Sequence, residues 1–398
     1  MRLAVNSESR AAESTPPEVT AARTLAAGIR DRAQDIETAR RLPGELVEAM
    51  VDAGLFRMCV PQALGGGEVH PATLVRAVEA IAYADGSAGW CVMIGATSGV
   101  VSAYLAPDVA REIYGTDSRV VTGGAYAPAG TATVIDGGYR VAGRWPFASG
   151  CEHCGWLMGG CMILRDGEQH RLPDGTPEMR MMLFPTAAAR VIDTWTVSGL
   201  RGTGSHDIAV ADLFVAADHS VSLITDRPRH TGALYVFPVF GLLAMGIAAV
   251  ALGLARAAID VLLELAGSKT PSLSHRRLSE RAVIQMQVAQ AEALLRSARA
   301  FLLATIDELW QSARSRRAVS IEQRAVLRLA ATQATIASAQ AVDLMYNAGG
   351  STSIYAASPL QRCFRDVHVV TQHTMVAPAT YELIGRVLLG LPADIAML

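Results

Sequence analysis

Residues 132–145, ATVIDGGYRVAGRW, read as two short strands joined by a turn. Val134-Ile135 and Tyr139-Arg140-Val141 are β-branched and aromatic runs, and Asp136-Gly137-Gly138 between them is a hairpin signal. Comparable runs, broken by glycine and proline, recur from about 118 to 225: RVVTGG, WLMGGCMIL, MRMMLFP, ARVIDTW and DIAVADLFV. Strands at this spacing predict a small antiparallel β-barrel or sandwich.

On both sides the texture is helical. Upstream, Leu25, Ile29 and Ile36 recur at near-helical spacing and predict a helix over 18–41. Pro43 opens a second helix, and VPQALGGGEVHP at 60–71 is a loop. Helices follow at 71–84 and 86–105. Downstream, long amphipathic segments near 239–267, 278–314 and 320–348, with shorter ones after 358, predict an antiparallel four-helix bundle. The fold class is α+β, mostly α: a disordered tail over 1–17, an N-terminal helical domain over 18–117, the β-domain over 118–225 and the helix bundle over 226–398.

Composition narrows the function classes. The chain has 398 residues, half of them apolar, and a net charge of −2, which supplies no basic field for nucleic acid. The first residues, MRLAVNSESRAAESTPP, lack the apolar region of a secretory signal. With six cysteines in a chain of this size, that predicts reduced thiols and a cytoplasmic protein. Residues 233–255 run 23 positions without a charge, long enough to span a bilayer. Pro238 and Gly241 break the front half, and Arg256, Asp260 and Glu264 follow with no flanking positive cluster, so a buried bundle helix is expected and no membrane. Cys151, His153, Cys154 and Cys161 lie close together, but a structural zinc site takes four ligands, usually from two such pairs; no metal is expected. No GxGxxG after a strand, no P-loop and no GxSxG elbow is present.

The stretch richest in chemistry is Arg365 to His373, RDVHVVTQH. Read as one buried helix, it puts Asp366 and His373 on a shared face and His368 about 140° away. Pro378 predicts a helix end near His373, where the negative end of the helix dipole favours a protonated imidazole. Either an acid/base histidine or a core histidine satisfied by a carbonyl fits this stretch alone.

With ADGSAGW at 84–90, GRWPFASG at 143–150, VSGLRGTGSHD at 197–207, AGG at 348–350 and LQRCFRDVHVVTQH at 360–373, the chain resembles the acyl-CoA dehydrogenase superfamily. It is more closely similar to the branch of reduced-flavin-dependent monooxygenases, from about residue 20 onward. The resemblance implies a flavin between β-domain and bundle, with Trp145 supporting the isoalloxazine and the Ser149 hydroxyl near flavin N5. A core role for Trp145 and a turn role for Ser149 are the alternatives. Gly349, Gly350 and Arg365 resemble a segment that contacts a neighbouring subunit's flavin, which implies a homotetramer; a helix cap and a surface ion pair are the alternatives. Lys269 stands where dehydrogenases carry an arginine against phosphate, and is the poorer bidentate donor. Trp90 and Ser205 either line the substrate pocket or pack in the core.

The departure from the dehydrogenases is at 373–374. Their catalytic glutamate follows the Arg-Asp pair, and the matching residue here is Thr374, with no carboxylate from Val367 to Thr380. The monooxygenase branch has a histidine here, and His373 fits it. The implied enzyme takes FADH2 or FMNH2 from a separate flavin reductase, adds O2 to form a C4a-hydroperoxyflavin, and hydroxylates a small aromatic, indole-like or polycyclic substrate. His373 would stabilise the peroxide or deprotonate the substrate, with Asp366 orienting it or pairing with an arginine. Two other readings stay open: an acyl-CoA dehydrogenase-type FAD oxidoreductase with its base elsewhere, and a non-catalytic flavin-free relative.

Overall fold

A computed structural model of the chain describes residues 15–272, 274–315 and 317–398. Of the expected tail, residues 1–14 lie outside this part, and Pro17 already opens the first helix. The N-terminal helices are α1 (Pro17–Asp31), α2 (Ala33–Ala39), α3 (Gly44–Asp52), α4 (Pro71–Ala84), α5 (Gly86–Ser98) and the short α6 (Pro107–Ala110). The expected single helix over 18–41 breaks at Arg32, where ψ opens to 4° and the guanidinium turns to Asp35 and Glu45. Helix α5 starts where Asp85 accepts a hydrogen bond from the Ala88 N–H at 2.9 Å, a side-chain N-cap. It gives way to 3₁₀ turns after Ser98, short of the expected 105.

The strands are β1 (Thr122–Ile135), β2 (Gly138–Trp145), β3 (Trp156–Arg165), β4 (Glu168–Gln169), β5 (Met179–Pro185), β6 (Arg190–Ile192), β7 (Asp207–Ala216) and β8 (Ser220–Val221). The expected hairpin forms at 134–141, with Val134 opposite Tyr139 and Gly137 at φ +77° in its turn. The sheet differs from the expected antiparallel barrel or sandwich in two ways. It is open, in the order β6-β7-β2-β1-β3-β5-β8, and β3 pairs parallel to β1. A parallel neighbour cannot be reached by a tight turn, so the chain must cross between β2 and β3. That crossing, residues 146–155, carries Phe147 and Ser149.

The C-terminal part holds the short α7 (Ala233–Val236), then α8 (Val239–Ser268), α9 (Ala282–Arg314), α10 (Ile321–Gly349), α11 (Pro359–Val370) and α12 (Thr380–Leu388). Helix α8 is long and apolar enough to cross a membrane, but 83% of its most apolar window is buried, chiefly against α4 and α10. Gly253 permits the close approach of α4: a Cβ there would lie 2.6 Å from the Glu79 carbonyl oxygen. One hydrophobic core runs through all three parts, so helices, sheet and bundle present their loops to one another in fixed positions.

Candidate active site

Four segments converge. Helix α5 brings Trp90, the β2–β3 crossing brings Ser149, the loop before β7 brings Thr203 and Ser205, and the turn after α11 brings His373. The Trp90 Nε1–H donates to Ser149 Oγ at 2.9 Å. Ser149 and Ser205 hydroxyls meet at 2.7 Å, as do those of Ser205 and Thr203, and Thr203 donates to the Leu200 carbonyl at 2.9 Å. The Trp90 ring also meets the His373 ring, centroids 5.7 Å apart and the planes tilted by 57°. The loops are locked by backbone bonds, Gly150 N–H to Thr203 O at 2.9 Å and Ala148 N–H to His206 O at 3.1 Å. The Gly202 N–H donates to Ser87 Oγ of α5 at 3.1 Å.

His373 is not the last turn of a helix. Helix α11 ends at Val370, and His373 follows in a series of turns. Its Nδ1 accepts the Met375 N–H at 3.2 Å. A neutral ring bound in this way carries its proton on Nε2, which has no hydrogen-bond partner among the described residues. The expected protonated state is also overturned. Burial, and secondly the positive Arg328, push the pKa down to about 4. Arg328 of α10 is itself buried. It donates to the Met375 carbonyl at 3.3 Å and to that of Met397, and its burial lowers its own pKa to about 10. The turn is therefore clamped from behind by a cation, which outweighs a distant helix end.

Asp366 neither orients His373 nor pairs with an arginine. Its Oδ1 accepts the Leu200 N–H at 2.6 Å, deep in the core. Burial, then the charge of Asp85, raise its pKa to about 7; burial raises that of Asp85 to about 6. Asp366 thus pins the 198–203 loop to α11, and Asp85 caps the helix that carries Trp90.

The sequence matches the family descriptions "Acyl-CoA dehydrogenase, N-terminal domain" over residues 18–108 and "Acyl-CoA dehydrogenase, C-terminal domain" over 245–378. It is 33% identical over 365 residues to indole-3-acetate monooxygenase of Pseudomonas putida, covering 91% of this chain and 92% of that protein. It is 30% identical over 373 residues to the flavin-dependent monooxygenase oxygenase subunit HsaA of Mycobacterium tuberculosis, covering 92% and 93%. The chain belongs to the flavin-dependent monooxygenase branch of the acyl-CoA dehydrogenase superfamily. The fold agrees: the crystal structure of 3-HSA hydroxylase from Rhodococcus sp. RHA1 superposes with a TM-score of 0.89 at 27% identity, over 97% of this chain and 100% of that one.

Within this monooxygenase, the residues singled out by sequence fall into two groups. His373, Ser149, Trp90 and Ser205 come together. Trp145 does not join them. It is fully buried, its Nε1–H donates to the Gly160 carbonyl at 2.6 Å, and Cβ atoms at Gly130, Gly143 or Gly159 would strike its ring. It is the core of the sheet and offers no face to a cofactor. Arg365 spends its nitrogens inside the protomer, on Glu37 and the Ser198 carbonyl at 2.6 Å each and on Gln361, so it clamps α2, α11 and the 198–200 loop. Gly350 ends α10 at φ +57°, and the Gly349 carbonyl accepts from Lys269 Nζ at 2.7 Å, which also donates to Thr352. Gly349 and Gly350 thus close a helix, and Lys269 has two of its three donors committed to that closure.

The residue sequence reading missed is Phe147. It is 68% exposed, its backbone sits at φ +64°, and its ring meets that of Trp195 edge to face, centroids 6.1 Å apart. A bulky side chain in that region costs about 1–2 kcal/mol and is found where function requires it. An aromatic two residues before the site hydroxyl was the available signal; the nearby Trp145 took its place. Two cavities, of about 350 Å³ by Arg180 and Arg229 and about 330 Å³ by Arg76 and Arg256, do not touch this site.

Proposed function

We propose that this chain is the oxygenase component of a two-component monooxygenase. It takes reduced FAD or FMN from a separate flavin reductase and hydroxylates a small aromatic or indole-like substrate, working as a homotetramer. The observation that carries this reading is the neutral His373, its Nε2–H without a partner among the described residues, held against Trp90 one residue before Thr374, the position where a dehydrogenase would place its carboxylate. The relatives named for indole-3-acetate and for flavin dependence support the substrate class and cofactor.

The residues fit a flavin edge. An exposed aromatic in a strained backbone, Phe147, stands two positions from a hydroxyl whose neighbours are all buried, Ser149. Phe147 would carry the ring system and Ser149 would meet its N5. Reduced flavin supplies the electrons that activate O2. The protein supplies the rest. Trp90 and the buried hydroxyls exclude water from the inner side. His373 holds its proton at Nε2 and offers it toward charge developing on oxygen, a role of the oxyanion-hole type. Its Nδ1 lone pair is occupied by Met375, so the ring is arranged as a donor rather than a base.

Feeding FADH2 or FMNH2 from a reductase under ¹⁸O2, with phenols and indoles as substrates, tests this. One labelled atom in the product is expected. Flavin reduction by an acyl-CoA, with no oxygenated product, overturns it.

Two further results are expected. Phe147→Ala weakens flavin binding about tenfold, the worth of one lost ring contact, without lowering the melting temperature. His373 adds no inflection to product yield near the ordinary histidine pKa. It gains a proton at Nδ1 and loses its bond from Met375 only as pH falls toward about 4, whereas a step at about 6–7 is the mark of Asp85 and Asp366. Titration of yield from neutral to acid pH checks this.

A further inference from the structure

Thr203, Ser205 and Ser149 share three short contacts and hold three hydroxyl protons between them. The contacts are Thr203 to the Leu200 carbonyl at 2.9 Å, Thr203 to Ser205 at 2.7 Å and Ser205 to Ser149 at 2.7 Å. All three residues are buried. A carbonyl accepts only, so the Thr203 proton goes to Leu200. The Thr203–Ser205 contact then needs the Ser205 proton, and the Ser205–Ser149 contact needs the Ser149 proton. Were Ser149 to turn its proton outward, one contact of 2.7–2.9 Å would set two oxygens against each other with no hydrogen between them. The Leu200 carbonyl cannot swing away to relieve this, because Trp195 Nε1–H at 3.0 Å and the Thr203 N–H at 3.2 Å also hold its oxygen in place beside the Thr203 hydroxyl. At the far end Trp90 Nε1–H already occupies one lone pair of Ser149. What Ser149 has left for a further partner is a single lone pair.

We infer that this line of hydroxyls fixes Ser149 as an acceptor toward the cofactor and thereby selects reduced over oxidised flavin, with Thr203 and Ser205 as positioning residues. The inference rests on the proposed pairing of Ser149 with flavin N5. Nitrogen N5 carries a hydrogen in reduced flavin and only a lone pair in oxidised flavin. The first complements Ser149 and the second faces it lone pair to lone pair. The enzyme therefore admits the cofactor charged with electrons and releases it spent. No residue outside the line needs to move for the discrimination to work.

Anaerobic titration with reduced and with oxidised FAD and FMN measures the effect directly. The wild-type protein is expected to bind the reduced forms more tightly. Thr203→Val leaves Ser205 free to donate to Ser149, and Ser149 free to donate outward. The ratio of oxidised to reduced dissociation constants then falls about tenfold, the net worth of one hydrogen bond, mainly through tighter binding of oxidised flavin. Thr203→Ser keeps the hydroxyl and the wild-type ratio. Ser205→Ala removes the acceptor of the Ser149 proton and shifts the ratio in the same direction, which keeps the test available if Thr203→Val does not fold. An unchanged ratio in folded Thr203→Val and Ser205→Ala proteins overturns the hydroxyl reading while leaving flavin binding intact. A wild-type protein that binds neither redox form overturns the flavin assignment with it.

Discussion

Replacement of His373 by alanine is expected to cut product formation about 10²–10³-fold, the range for losing one preorganised donor at a developing oxyanion. Oxygen consumption should continue, with the oxygen recovered as hydrogen peroxide. Flavin binding should change little, because the groups assigned to the flavin, Phe147 and Ser149, are held by Trp195, Trp90 and Ser205 rather than by His373. The expectation rests on the tautomer. Nδ1 accepts from Met375, Arg328 sits behind the turn, and the pKa is held at about 4, so at neutral pH the ring has one outward group, the Nε2–H. His373→Gln separates donor from base. An amide still donates but cannot take a proton, so partial recovery relative to alanine supports the donor role. A glutamine variant as inactive as alanine points to proton abstraction, and product at the wild-type rate from alanine removes His373 from the chemistry. The measurements are product by chromatography and peroxide by a coupled assay.

Trp145→Ala is expected to act on the fold and not on the cofactor. The indole is fully buried and wrapped by Gly130, Gly143 and Gly159, whose missing side chains make its slot. Emptying such a slot costs about 3–5 kcal/mol, with the Gly160 carbonyl also losing its donor. Denaturant unfolding of the flavin-free protein reads this loss. Any folded fraction should bind reduced flavin with near wild-type affinity. Phe147→Ala should show the opposite pair of effects. If Trp145→Ala were stable and failed to bind flavin, the division of labour between these two rings would be reversed.

These two aromatic residues show where sequence reading stops. Periodicity and turn chemistry place both on or just after a strand, because Val134 to Val141 alternates and Asp136-Gly137 must turn. Which ring is enclosed and which is open depends on the parallel pairing of β3 with β1, a contact between residues far apart in the chain. Local pattern carries no term for it. His373 is similar. Its residue type and the lack of a nearby carboxylate were legible and pointed to the right chemistry. Its charge was not, since the dipole argument presumed a helix that ends at Val370 and could not include Arg328, 45 positions upstream. Asp366 read as a partner for His373 or an arginine because both lie nearby along the chain. It instead bonds a backbone N–H from the far loop.

The sequence by itself determined the order of helices, strands and bundle, and the presence of a histidine, His373, beside a threonine, Thr374, that stands where the related dehydrogenases need a carboxylate. Those follow from hydrophobic period, glycine and proline placement, and residue type, all of which act over a few neighbouring positions. Only the tertiary structure decided which hydroxyl faces which, which aromatic ring is left open, and which nitrogen of His373 holds the proton. The first two depend on contacts between segments far apart in the chain, and the third on the turn after α11 that brings the Met375 N–H onto Nδ1.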